Sequence, residues 1–249
     1  MDKNDFNTIG IDGKWDWKRI RKLLLIGLLA SAAHLIADLL LGWGIQDETL
    51  SGIRRMFSAY GQLGNGAIYT SAVVGMLSII LEALSYFGVY RLMAVQSPKH
   101  AHSYRSGIFG YMMFCPFAFH VAVCVMVYLG RNGAGDLVDG IIWHFFIPGF
   151  ILFWIFFAVL VGTQMSAFIK GKTPYPKWAW IFSVLTGMLI AKVVNVFGNV
   201  PVVNAIDCAW IAIGNIWMFS GLLFLMKKAA LKCCFLCEGQ EGENDNYER

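Results

Sequence analysis

His34 and Asp38 stand one helical turn apart inside the apolar run 23–43. An imidazole and a carboxylate are costly to bury in lipid, so they must face other helices, water or a ligand, and by default they mark a functional site. Later apolar runs carry Glu82, His120, Lys192, Asn195, Asp207 and Asn215. These types suit proton exchange, acid/base chemistry or the holding of a polar ligand. No motif fixes a reaction: there is no recognisable nucleophile, phosphate loop or cofactor loop.

A metal must be weighed, because His34, His120 and His144 with Asp38 or Asp207 offer three imidazoles and a carboxylate, a donor set that zinc accepts. Against it, no HxxxH or HExxH pair is present, and the helical rise places His144 about 10 Å from the others in depth. No metal is therefore expected, and the cofactor is left unspecified.

The elements that hold these residues follow from composition. The 249 residues are 57% hydrophobic and only 14% charged, with a mean hydropathy of +0.59. An ordinary soluble domain carries about 25% charged residues, so the expected class is an all-α polytopic membrane protein. A window of about 20 residues predicts six transmembrane helices, at 23–43, 67–93, 107–129, 141–168, 178–198 and 204–226. Residues 1–22 form a basic, amphipathic cytoplasmic anchor, and 227–249 a cytoplasmic tail expected to be disordered. The apolar run through Trp43 outlasts a signal-peptide core, which argues against cleavage after Ala30-Ser31-Ala32. Between the first two spans, Leu50, Ile53, Phe57 and Tyr60 recur at helical spacing and predict a short outer interfacial helix.

Orientation comes from the basic residues. Counting Arg91 at the end of the second span with the link that follows it, sixteen of the twenty Lys and Arg lie in the two terminal segments and the second and fourth links, against Arg54, Arg55 and Arg131 in the other links. Positive charge is retained on the cytoplasmic side, so both termini are expected there. The net charge of +4 is explained in the same way, and no nucleic-acid partner is expected.

Gly27, Ser31, His34 and Asp38 share one helical stripe, as do Ser71, Gly75, Ser78, Glu82 and Ser85. Small residues let helices approach closely, so these two stripes should face each other. Pro116 and Pro148 mark expected kinks. Counting depth along the helices places Asp38, His120, Lys192, Asn195 and Asp207 in the outer half and His34, Glu82 and Asn215 near the midplane. That bias predicts a polar cavity open to the outside and closed toward the cytoplasm.

Each residue also has a structural reading. His34 and Asp38 can satisfy each other across one turn, and Glu82 can serve as an interhelical hydrogen-bonding group. Lys192 and Asp207 read first as a structural ion pair, and the asparagines as links between helices. His144 reads as solvated. Cys115, Cys124 and Cys208 read as small buried apolar residues, and Cys233, Cys234 and Cys237 as free thiols beside a basic tail.

The segments HLIADLLLGWG (34–44), ALSYFGVYRLM (83–93), KGKTPYPKWAWIF (170–182) and GNIWMF (214–219) resemble an uncharacterised group of bacterial six-span membrane proteins of unknown function. The resemblance covers nearly the whole chain and implies a bacterial inner membrane, without supplying a reaction. The zinc-dependent intramembrane hydrolases differ, having seven spans and a late paired-histidine motif; here no histidine follows His144.

Two functions are therefore expected in order. The first is binding or transport of a small molecule or lipid in an outward-facing intramembrane pocket. The second is an intramembrane enzyme that uses acid/base residues on a lipid or isoprenoid. Membrane lipids are the expected neighbours, and the small-residue stripes suit contacts within one bundle or between subunits of a homo-oligomer.

Overall fold

The computed structural model describes residues 15–244, with side chains through Met226 and at Ala229. Much of the basic anchor, the last residues of the tail, and the side chains of Cys233, Cys234 and Cys237 lie outside the described residues. Among the described residues every regular element is helical.

Helix α1 (Trp17–Gly42) is capped by Asp16, whose carboxylate accepts the Arg19 amide at 2.9 Å. A short surface helix α2 (Gly52–Ser58) follows, at the place where the Leu50–Tyr60 pattern predicts one. Helix α3 (Asn65–Ala94) runs back beside α1, and this pair forms the most extensive helix contact of the fold. Both small-residue stripes are buried in the bundle, as the sequence requires.

Helices α4 (Pro98–Arg131) and α5 (Gly135–Ile169) are long and apolar. Each contains a π-helical turn, over Cys115–Val121 and Ile142–Phe146. Pro116 lies within the first; Pro148 follows the second by two residues, and His144, four residues before it, lies within that turn. A proline lacks the N–H that would close the α-turn and crowds the carbonyl four residues back, so the ladder widens where kinks are expected. On α5, Phe146, Phe150, Phe153 and Phe157 form a ladder of contacting rings, and Phe119 of the first π-turn stacks on Phe153 at 5.2 Å. The packing and edge geometry of these rings, about 0.5–1.5 kcal/mol per pair beyond their burial, help to hold the helices together.

The second half departs from six uniform spans. Among the described residues four helices are long and apolar enough to cross a membrane, and a fifth exists if Pro201–Cys208 and Trp210–Met226, bent by 63°, count as one. The expected span 178–198 is divided. Lys177–Phe182 is a 3-10 segment, Ser183 adopts extended backbone and caps α6 (Val184–Val193), and a 3-10 turn, Val194–Phe197, completes the rod. Gly198, with φ of 85°, ends it. The apolar stretch Val184–Phe197 is about 21 Å long at the usual rise, short of a hydrocarbon core of about 30 Å. Helix α7 (Pro201–Cys208) and helix α8 (Trp210–Asn244) complete the chain.

The connections gather at two ends of the bundle. At one end Asn199 joins Gln46 (2.9 Å), Asn204 reaches the Gly44 carbonyl (2.8 Å), Asn65 meets Asn132 (3.1 Å) and Arg54 pairs with Asp139. At the other, Trp15 donates to the Leu92 carbonyl, His100 meets Ser166, and Tyr175 donates to the Leu222 carbonyl. The Asp47 carboxylate, in the loop of the first end, lies below its ordinary range because Thr49 donates to it through both its hydroxyl and its amide.

Candidate functional site

Three helices bring the site together. His34 and Asp38 project from α1, Glu82 from α3, and His120 from the π-turn of α4. All four are buried, at 2%, 5%, 0% and 5% exposure respectively. His34 Nδ1 lies 3.2 Å from both oxygens of Glu82, and His34 Nε2 lies 3.2 Å from Asp38. The other Asp38 oxygen is 3.4 Å from His120 Nδ1, and His120 Nε2 is 2.9 Å from the carbonyl of Ser71. Tyr111 donates to Glu82 at 3.1 Å.

The approach of His120 to α3 depends on Gly75. A Cβ there would stand 2.0 Å from His120 Nε2, so any side chain must displace the imidazole. The widened turn at Pro116 and the missing side chain at Gly75 together seat His120 against the Ser71 carbonyl.

The tautomers follow from the partners. The Ser71 carbonyl only accepts, so His120 Nε2 carries a proton, and a neutral ring then turns the lone pair of Nδ1 toward Asp38. If His34 donates from Nδ1 to Glu82, its Nε2 lone pair faces Asp38 as well. Asp38 thus sits between two imidazole nitrogens, and either protons shared within the cluster or a cation among them closes the contacts.

His34, Asp38 and His120 line a cavity of about 150 Å³ beneath α2, with Leu41, Phe57, Phe119 and Phe150 among its apolar walls. Lys192 and Asp207 line the same cavity. Lys192 Nζ donates to Asp207 at 2.5 Å and sits 4.7 Å over the Trp210 ring, and Asn195 donates to the same Asp207 oxygen at 2.8 Å. The ion pair expected across the Gly198–Val203 connection is therefore formed.

Of the residues singled out by sequence, five face the cavity directly. Glu82 stands behind His34, and Asn195 behind Asp207. Asn215 lies deeper, accepting from Tyr86 and donating to Tyr111 at 3.5 Å. His144 is apart from the others: it is exposed and its Nδ1 contacts the Gly140 carbonyl. Sequence reasoning missed Tyr111 and Tyr86. Tyr86 follows Glu82 by one turn on a buried face and was open to discovery; Tyr111, on another helix, carried no such signal. The Ser71 carbonyl is a backbone group and leaves no trace in residue type.

No curated protein and no solved structure matches the chain. A family match, by contrast, extends over residues 1–229 and includes every residue of the site, and by it the chain belongs to DUF6796, a family of unknown function.

Proposed function

We propose that this chain is a multi-pass protein of a cell inner membrane that binds or transports a small molecule in the cavity beneath α2. The observation that carries the reading is one cavity of about 150 Å³ reached by both a buried His–Asp–His cluster and a Lys–Asp pair, within otherwise apolar walls. Such a volume suits a molecule of about benzene's size or the end of a lipid. A ligand with one polar end and an apolar body fits this lining. Six crossings complete the proposal, Lys177–Phe197 serving as the fifth and the bent pair as the sixth. The basic residues then place both termini in the cytoplasm and the roof formed by α2 outside.

The second reading, an acid/base enzyme acting on a lipid or isoprenoid, is favoured by one contact set. His34 links Glu82 to Asp38 through its two ring nitrogens, which gives a proton a path between a buried carboxylate and the cavity. The test is native mass spectrometry on gently extracted protein, with His34→Ala and Glu82→Ala beside the wild type. A bound species lost from both variants supports the pocket, and its chemical conversion on the wild type selects the enzyme. A folded wild type carrying nothing specific overturns both.

A further inference from the structure

The geometry points to a divalent transition-metal centre, of the zinc class, held by His34 Nε2, a carboxylate oxygen of Asp38 and His120 Nδ1, with its remaining position turned to the cavity. This inference rests on reading the cavity as a binding site and names the ligand at its polar end. Four observations converge on it.

The first is spacing. One ligand atom from each of the three residues lies within 4.8 Å of the others. Metal–ligand bonds of about 2.0–2.1 Å in a tetrahedron separate neighbouring ligand atoms by about 3.3 Å. His34 Nε2 lies 3.2 Å from one Asp38 oxygen and His120 Nδ1 lies 3.4 Å from the other, so the carboxylate presents an oxygen at about that spacing to each imidazole.

The second is tautomer. A metal-binding imidazole directs one nitrogen's lone pair at the ion and donates its other N–H to a carboxylate or a backbone carbonyl. Both halves of that pattern are built here. His120 Nε2 is held by the Ser71 carbonyl and His34 Nδ1 by Glu82, which Tyr111 steadies in turn. The Ser71 carbonyl thereby fixes the His120 lone pair toward Asp38, and with Glu82 ionised the His34 lone pair turns the same way.

The third is charge. With both rings neutral, Asp38 and Glu82 leave two negative charges in a buried cluster. Two protons or one divalent cation restore neutrality, and the cation does so while satisfying both inward lone pairs and Asp38 from one position. Lys192 offers no substitute, since its ammonium is engaged by Asp207 and Trp210.

The fourth is access. All three residues line the cavity, so a water or a ligand oxygen has room to complete the shell, as in sites that keep one position open. The sequence argument against a metal turned on His144, which the structure places elsewhere; the remaining three donors come from α1 and from the π-turn of α4, an arrangement that no HxxxH pattern reports.

The test uses full-length protein in detergent, stripped with chelator and titrated with Co(II) and then Zn(II). One equivalent of Co(II) is expected to give visible ligand-field bands that Zn(II) abolishes by displacement. Pulsed electron paramagnetic resonance of the Cu(II)-loaded protein is expected to show two coordinated imidazoles. His34→Gln and His120→Gln are expected to lose the bands, Lys192→Met to keep them, and Glu82→Gln to keep them with an affinity weakened about 10–100-fold. The wild-type measurements do not depend on any variant folding. A wild type that retains no stoichiometric metal, or metal retained equally by both histidine variants, overturns the centre. If metal fails to bind while an organic species still occupies the cavity, the centre falls and the pocket stands. Metal bound with no organic species supports the centre and overturns carriage of an organic molecule.

Discussion

The His34–Asp38–His120–Glu82 cluster and the Lys192–Asp207 pair reach one cavity by different routes. The cluster joins residues 48 positions apart, between His34 and Glu82, across three helices, and it is almost wholly buried. The pair joins residues 15 apart across a single connection, with the Lys192 side chain 38% exposed. A contact assembled by tertiary packing uses its hydrogen-bonding groups fully and leaves a buried charge uncompensated when one partner is removed. A contact between neighbouring, partly exposed elements relaxes when broken. The comparison separates a cluster fixed by the packing of three helices from a pair that ties two short helices together.

Breaking the cluster should produce the largest effect. His34→Ala is expected to cost about 3–5 kcal/mol of stability by leaving Asp38 and Glu82 without their shared partner. Reversible unfolding in detergent checks this, and a cost below about 1 kcal/mol would place the cluster on a level with the pair. Gly75→Val is next, because the new side chain must push His120 off the Ser71 carbonyl; about 1–3 kcal/mol is expected, together with loss of any species bound in the cavity. Lys192→Met should cost no more than about 1 kcal/mol, since exposure screens the pair and the methionine still covers Trp210. The smallest effect lies outside the bundle, at Asp47. Thr49→Ala is expected to return its carboxyl upward toward the ordinary range, read by carbon NMR of labelled aspartate. Because the folded value is depressed, the slight stabilisation from Thr49 is present above the ordinary carboxyl value and lost as pH falls through the depressed one.

The sequence made α1, α3, α4 and α5 legible because each contains a long apolar run, and α2 because its apolar positions recur at helical spacing. The facing stripes of α1 and α3 were legible too, since serine and glycine beside a carboxylate have few uses in lipid other than close packing. The division of 178–198 was not. Hydropathy averages over a window, whereas the break depends on the extended backbone at Ser183 and the positive φ of Gly198, which are local events. Within the site, the one-turn spacing of His34 and Asp38 showed their contact. That Glu82 takes the other face of the same ring depends on how two helices rotate against each other, and the seat of His120 on a π-turn and on a missing side chain at Gly75. Prolines in the sequence announced a kink without announcing its form.

A cavity-filling substitution tests most directly whether the polar cluster serves a binding site or only the fold. Ile211 is buried and lines the cavity without touching the cluster's hydrogen bonds. Ile211→Phe, compared with the wild type by thermal unfolding and by native mass spectrometry together, is expected to leave the midpoint unchanged or raised while the bound species disappears. A variant that folds equally well and still carries that species at wild-type occupancy would contradict the cavity as its site.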